Sequence, residues 1–252
     1  MKRKYFVANI SGGKDSMAML LLIYIKGYPI DEVVFFDTGW EFDCIYENIK
    51  SVEHLCYLAN IKFTVIKPDK SFDFLMFEHP HKTRKGENVF GYSWCGGVCR
   101  WGTTQKTQCI SKHFKQDEYM DKEIYHYIGL AHDEQKRIEK NKDTHKIFPL
   151  NDMQITEKMA LDICLENGLD FKENDVCLYD ILDRVSCWCC SNKNLKELKN
   201  YYLNLPEYWQ KLKDYQSRTD RPFRRDGKTI FDLEKRFEGE KSYESLRINS
   251  RT

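Results

Sequence analysis

Ser11-Gly12-Gly13-Lys14-Asp15-Ser16 gathers two hydroxyls, two glycines, an ammonium and a carboxylate in six consecutive positions. The glycines let backbone N–H groups approach an anion closely, and a helix starting here would add free N–H donors and its positive dipole end. Ser11 and Ser16 offer hydroxyl donors, and Lys14 offers a point charge for phosphate oxygens. Asp15 suits such a site if Mg2+ bridges the phosphates, or if it serves as an acidic first-turn residue. The spacing is not that of a Walker A loop, which needs Gly-x-x-x-x-Gly-Lys followed by Ser or Thr. A second group of reactive side chains is sulfur. Of the ten cysteines, Cys95 and Cys99 form one tight pair, and Cys187-Trp188-Cys189-Cys190 contains another. Two pairs distant in sequence are the pattern of one metal centre, zinc or iron–sulfur, with Cys95, Cys99, Cys187 and Cys190 as ligands. Cys44, Cys56 and Cys164 lie inside helical apolar patterns and read as buried core residues.

The elements that must hold these groups alternate in type. Tyr5–Ile10 reads as a strand, Asp15–Lys26 as a helix, Glu32–Asp37 as a strand, Glu41–Ala59 as a helix and Lys62–Ile66 as a strand. A further strand over Tyr125–Leu130, a helix starting at Asp133 and a short strand or turn at Ile147–Leu150 continue the rhythm. A Thr156–Asn167 helix, capped near Thr156 and closed by Gly168, ends it. Strands separated by helices imply βαβ units and a parallel sheet. Residues 79–94 interrupt it with a basic, aromatic loop, and a helix is expected over about Arg100 to Lys112. Beyond residue 175 come aromatic-rich helical segments, Asn194–Leu203 and Pro206–Tyr215, a charged turn region from Arg218 to Lys228, and a last helix over Phe231–Phe237. The expected architecture is an α/β fold: an open, mostly parallel five-stranded sheet flanked by helices, over residues 1–175. A small helical lobe over 176–252 carries the second cysteine pair.

Composition narrows the class further. The 252 residues are 41% hydrophobic and 31% charged, which excludes a largely disordered chain. Lys and Arg number 40 against 39 Asp and Glu, a net charge of +1, so any nucleic-acid surface must be local. The longest apolar run, Met17 to Ile25, is too short to span a membrane. The basic N-terminus runs into a strand with no small-residue cleavage site, so a cytoplasmic protein without a membrane partner is expected.

The hexapeptide resembles the PP-loop of the adenine nucleotide α-hydrolase-like superfamily. More of the chain resembles its phosphoadenosine phosphosulfate reductase-like family, over roughly residues 5–170. Asp37-Thr38-Gly39-Trp40-Glu41-Phe42 looks like that family's Asp-Thr-Gly-x-x-Phe. Gly129-Leu130-Ala131-His132-Asp133-Glu134 with Arg137 looks like its later Gly-x-x-x-Asp/Glu stretch, and Phe148-Pro149-Leu150 like its Pro-Leu segment. The resemblance implies binding of ATP or a related adenine nucleotide with Mg2+. It also implies cleavage between the α and β phosphates to AMP and pyrophosphate, activating a substrate in a manner suited to sulfur transfer. The catalytic groups would be Lys14, Asp15 and Asp37. The nucleotide would be held by Ser11, Gly12, Gly13, Lys14, Asp15, Ser16, Asp37, Thr38, Gly39, Arg100, Gly129, Asp133 and Arg137. For several of these a local reading stands beside the functional one: Asp37 or Asp133 as a cap, Gly129 as a turn, Arg100 and Arg137 as solvated cations. Many family members bind a [4Fe–4S] cluster through two cysteine pairs; here the first pair is Cys-x3-Cys, not adjacent, which leaves zinc open.

Sulfonucleotide reduction is the alternative activity. Family reductases carry a Glu-Cys-Gly-Leu-His tail, whereas no cysteine follows Cys190 here, leaving Cys189 and Cys109 as spare nucleophiles. A non-catalytic nucleotide-binding subunit of a larger assembly, or a homodimer, is a further expectation. The basic stretches 79–94 (His79, His81, Lys82, Arg84 and Lys85, with Tyr92 and Trp94) and 218–228 (Arg218, Arg221, Arg224, Arg225 and Lys228) suit phosphates and stacked bases. Solvated loops are the other reading of both.

Overall fold

The computed structural model of the chain describes residues 2–83, 85–94, 99 and 102–249. In chain order the elements are β1 (Arg3–Ile10), α1 (Lys14–Ile25), β2 (Glu32–Phe36), α2 (Asp43–Leu58), β3 (Lys62–Ile66), β4 (Pro80–Lys82), β5 (Asn88–Phe90) and α3 (Thr103–His113). They continue with β6 (Lys122–Ile128), α4 (Gln135–Asn141), β7 (Lys146–Ile147), α5 (Pro149–Asp152), α6 (Glu157–Glu166), β8 (Lys172–Glu173), β9 (Val176–Cys177) and α7 (Leu178–Ile181). The last three are α8 (Leu195–Asn204), α9 (Pro206–Ser217) and α10 (Ile230–Asn249).

Five strands pair in the order β3-β2-β1-β6-β7, every pair parallel. The chain builds outward from β1 through β2 to β3, then returns to the other side of β1 for β6 and β7. The strand order therefore reverses between β1 and β6, and the carboxyl ends there form the crevice where open α/β sheets take ligands. β2 is buried at all five positions, as a strand covered on both faces must be. The apolar run beginning at Met17 forms most of α1, with Met17, Ala18, Met19, Leu20 and Ile23 at most 2% exposed. Such a helix is apolar nearly all round because it is enclosed by protein. Among the described residues no helix is long and apolar enough to cross a membrane.

The chain divides into two compact units. Residues 1–68 with 105–172 form the α/β unit, and residues 69–104 with 173–252 form the other. The division is discontinuous, whereas sequence character suggests a single cut near 175. Residues 79–94, expected as a loop, contain an antiparallel hairpin of β4 and β5. Its turn closes because Thr83 N–H donates to the Glu87 carbonyl at 2.9 Å and Gly86 adopts φ +85°. The expected Arg100–Lys112 helix begins at Thr103 among the described residues, and the expected Phe231–Phe237 helix runs on to Asn249.

Candidate nucleotide site and the cysteine-bearing unit

The Ser11–Ser16 loop joins β1 to α1 at the reversal of strand order. Gly12 takes φ +78°, a left-handed conformation that favours glycine, and a Cβ there would run into Ile45. Ser16 is buried and works inside the loop. Its Oγ accepts the Ser11 N–H at 3.0 Å, lies 3.2 Å from Ser11 Oγ and donates to the Gly13 carbonyl at 2.9 Å. Gly13 occupies the N-cap position of α1 with extended backbone, so the free amides of the helix start belong to the loop. Gly129, at the end of β6, lies against this start: a Cβ on it would stand 2.7 Å from Ser16 Cα and 2.8 Å from the Asp15 carbonyl oxygen. Its lack of a side chain is what lets β6 and the loop approach.

Lys14 is 6% exposed. Its Nζ donates to Asp15 Oδ1 at 2.7 Å and to Glu157 Oε2 at 3.0 Å. Burial raises the Asp15 carboxyl above its usual range; Lys14 opposes that rise, and the charges of Glu157 and Glu134 add to it. Glu157 opens α6, whose start is fixed twice. Thr156 Oγ1 accepts the Met159 N–H at 3.3 Å, and Asp133 accepts the Glu157 N–H at 3.1 Å. α6 packs on α1, where the Cys164 thiol donates to the Lys14 carbonyl at 3.2 Å and burial pushes its pKa up to about 12. Cys44, Cys56 and Cys164 are all buried core residues.

Asp37 follows β2 and is largely buried. Its Oδ1 accepts the Gly39 N–H at 2.8 Å and the Tyr46 hydroxyl at 2.9 Å, and Lys67 Nζ lies 3.3 Å from Oδ2. Tyr46 is held protonated by burial and by Asp37. Gly39 takes φ +76° in this turn, while Thr38 donates to Glu41 at 2.7 Å and accepts the Trp40 N–H. Arg137 on α4 pairs with Glu134, the residue preceding that helix, and stays half exposed.

The loop, Gly129, Asp133 and α6 thus come together within the α/β unit, and Asp37, Thr38 and Gly39 share one hydrogen-bonded turn. Arg100 lies outside the described residues. Sequence reasoning missed Glu157, Tyr46 and Lys67. Thr156 was expected as a cap, but no periodicity says that α6 starts beside the Ser11–Ser16 loop.

In the other unit, Cys187 and Cys190 share a turn, with Cys190 N–H donating to the Cys187 carbonyl at 3.1 Å. Cys99 Sγ accepts the Gly102 N–H at 3.1 Å. Cys95 lies outside the described residues, and among those described no group of three or more His, Cys, Asp or Glu side chains is placed to hold a metal ion. Lys193 is 5% exposed, with Nζ 3.3 Å from Ser186 Oγ and 5.2 Å from the Tyr201 ring centroid. Burial lowers its pKa, against the opposing pull of Cys190, Glu197, Cys187 and Cys189.

The basic stretches meet within this unit. The Arg218 guanidinium lies 3.6 Å from the Phe77 ring centroid and 3.6 Å from Asp73, Arg221 donates to the Tyr92 carbonyl, and Arg224 pairs with Asp226. His81 lies against Tyr92, with ring centroids 4.5 Å apart. Lys82, Lys85, Arg225 and Lys228 remain exposed, and Arg84 lies outside the described residues.

Residues 5–171 match the family model described as phosphoadenosine phosphosulfate reductase domain. The chain is also 26% identical over 213 residues to Uncharacterized protein MJ0066 of Methanocaldococcus jannaschii. That match covers 84% of this chain and 41% of the relative's length, so the chain spans well under half of that protein.

Proposed function

Because this chain belongs to the phosphoadenosine phosphosulfate reductase domain family, we propose that it is an ATP-using enzyme that activates a second substrate as an adenylate. The observation that carries this reading is the loop itself: a glycine-bearing helix start at the reversal of strand order, with a buried lysine inside it. An oxyanion of the acceptor attacks the α-phosphorus and a new P–O bond forms. The bond from the α-phosphorus to the bridging oxygen breaks, and pyrophosphate leaves with the electron pair. Backbone amides at Gly12, Gly13 and the first turn of α1 bind phosphate oxygens, and Lys14 balances charge on the leaving group. Gly129 brings the end of β6 close enough to border the nucleotide. Asp37 holds the turn that presents Thr38 and Gly39. Mg2+, when bound, would shield the phosphates, with Asp15 and Glu157 the carboxylates next to Lys14 suited to it. A sulfur nucleophile that then displaced AMP from the adenylate would complete a sulfur transfer.

Incubation with ATP should yield AMP and pyrophosphate in equal amounts, and Lys14→Ala should weaken ATP binding by about 1.5–3 kcal/mol, the range for a charged hydrogen bond. Unchanged affinity of Lys14→Ala in calorimetry overturns the phosphate-loop reading. The family's description favours sulfonucleotide reduction as the second reading, which predicts sulfite from phosphoadenosine phosphosulfate and no pyrophosphate from ATP. Binding without either product would mark a non-catalytic nucleotide subunit. A nucleic-acid acceptor would meet Lys82, Lys85, Arg225 and Lys228, which are among the exposed cations of the second unit. A metal centre on Cys95, Cys99, Cys187 and Cys190 is a separate proposal. It is supported by the presence of Cys99, Cys187 and Cys190 in one compact unit and by the amide donated to Cys99 Sγ, and no catalytic step runs through it.

A further inference from the structure

Glu157 lies outside the phosphate loop in sequence, yet its carboxylate is 3.0 Å from the loop's only ammonium. Its backbone is fixed by the Thr156 cap and by Asp133, so the carboxylate is delivered to Lys14 by the fold. Any phosphate that pairs with Lys14 therefore meets a formal negative charge already bonded to the same nitrogen. Asp15, 2.7 Å from Nζ, contributes a second, and Glu134 and Glu157 both raise the Asp15 carboxyl, so their fields overlap at this point.

We propose that Glu157 sets the nucleotide affinity of the loop from below, as a positioning residue whose charge competes with phosphate for Lys14. This rests on the reading of the loop as the phosphate site. A Glu157 carboxylate at this distance also keeps the lysine aligned, so its removal separates the two roles: loss of charge favours the anion, and loss of alignment disfavours it. The Glu157 side chain is 44% exposed, so solvent screens the effect.

The test is calorimetric titration of the full chain with ATP in EDTA at low salt. Glu157→Gln, which keeps the side chain's shape and removes its charge, should bind ATP about fivefold more tightly, the equivalent of about 1 kcal/mol. The gain should shrink as salt is raised, because it is electrostatic, whereas a purely structural role would not follow ionic strength. Glu157→Asp, which retains the charge, should stay at the wild-type affinity. Unchanged or weaker ATP binding by Glu157→Gln, in a protein whose Lys14→Ala variant has lost affinity, overturns the inference alone. Unchanged binding by Lys14→Ala overturns the phosphate-loop reading instead.

Discussion

Lys14 and Lys193 are equally withdrawn from solvent, at 6% and 5% exposure, and the two units treat them in opposite ways. Lys14 stands at the N-terminus of α1, where the helix dipole disfavours a cation. Two carboxylates hold it there, Asp15 from the same turn and Glu157 from α6. Lys193 sits after the Cys187–Cys190 turn against a hydroxyl and an aromatic ring, and burial lowers its pKa against the pull of the neighbouring cysteines and Glu197. In the α/β unit, charge is placed by topology: parallel strands end along one edge, and whatever follows them is gathered there. In the second unit, charge is placed by short-range packing, as with Arg218 on Phe77 and Arg221 on the Tyr92 carbonyl. The first arrangement exposes its chemistry in the order of the strands. The second sets it in contacts that follow no strand order, between the 69–104 segment and the C-terminal segment or within a few residues of one turn.

The sharpest way to break this contrast is through the cysteines. Anaerobically purified protein should carry about one metal centre per chain, and Cys187→Ser, which removes a thiolate ligand, should lose it and be destabilised, because thiolate–metal binding is coupled to folding. ATP affinity should be unaffected, and Cys164→Ser should keep the metal. Full metal content in Cys187→Ser would remove that residue from the ligand set.

The next largest effect belongs to the sheet. His126 on β6 has its pKa lowered to about 4, by burial first and by Lys146 next, and the Asn9 amide nitrogen lies 3.0 Å from its Nδ1. The unfolded ring takes up its proton near the ordinary histidine value, and the folded ring only near 4. Stability should therefore be full above about pH 6.5 and fall as pH drops toward 4, by at most about 3 kcal/mol. Urea titrations at stepped pH, wild type against His126→Gln, should show this slope only in the wild type.

Gly129→Ala places a methyl against backbone, which the loop can relieve only by shifting. It should cost about 1–3 kcal/mol of stability and weaken ATP binding with it. Unaltered ATP affinity in that variant would mean that β6 and the loop are not coupled as described.

The smallest effects compare two helix caps. Thr156 caps α6 in the α/β unit, and Asn194 with Glu197 forms a reciprocal capping box on α8 in the other. Replacing either cap with Ala should cost about 1 kcal/mol in thermal or urea unfolding. Only Thr156→Ala should also change ATP affinity, because only α6 carries Glu157 to Lys14.

Much of the α/β unit is legible in order along the chain. Lys62–Ile66 is a strand as its pattern implies, Thr156 caps and Gly168 follows α6, and the loop of two glycines and a lysine falls between β1 and α1. Strand and helix periodicities are local, and glycine, cap and turn chemistry act within a few residues, so sequence determines them. Which strands neighbour one another is not local. Only the order β3-β2-β1-β6-β7 brings Gly129 against Ser16, and only the packing of α6 on α1 brings Glu157 to Lys14, 143 residues away. The same holds for residues 79–94, which read as an interruption of the α/β rhythm and lie in the 69–104 segment that groups with the C-terminal residues in one compact unit. Sequence alone determined which residues could bind a phosphate and which elements would carry them. Tertiary structure decided which carboxylates share the lysine, because close approach between distant segments depends on the buried packing of whole elements and leaves no periodic mark in the chain.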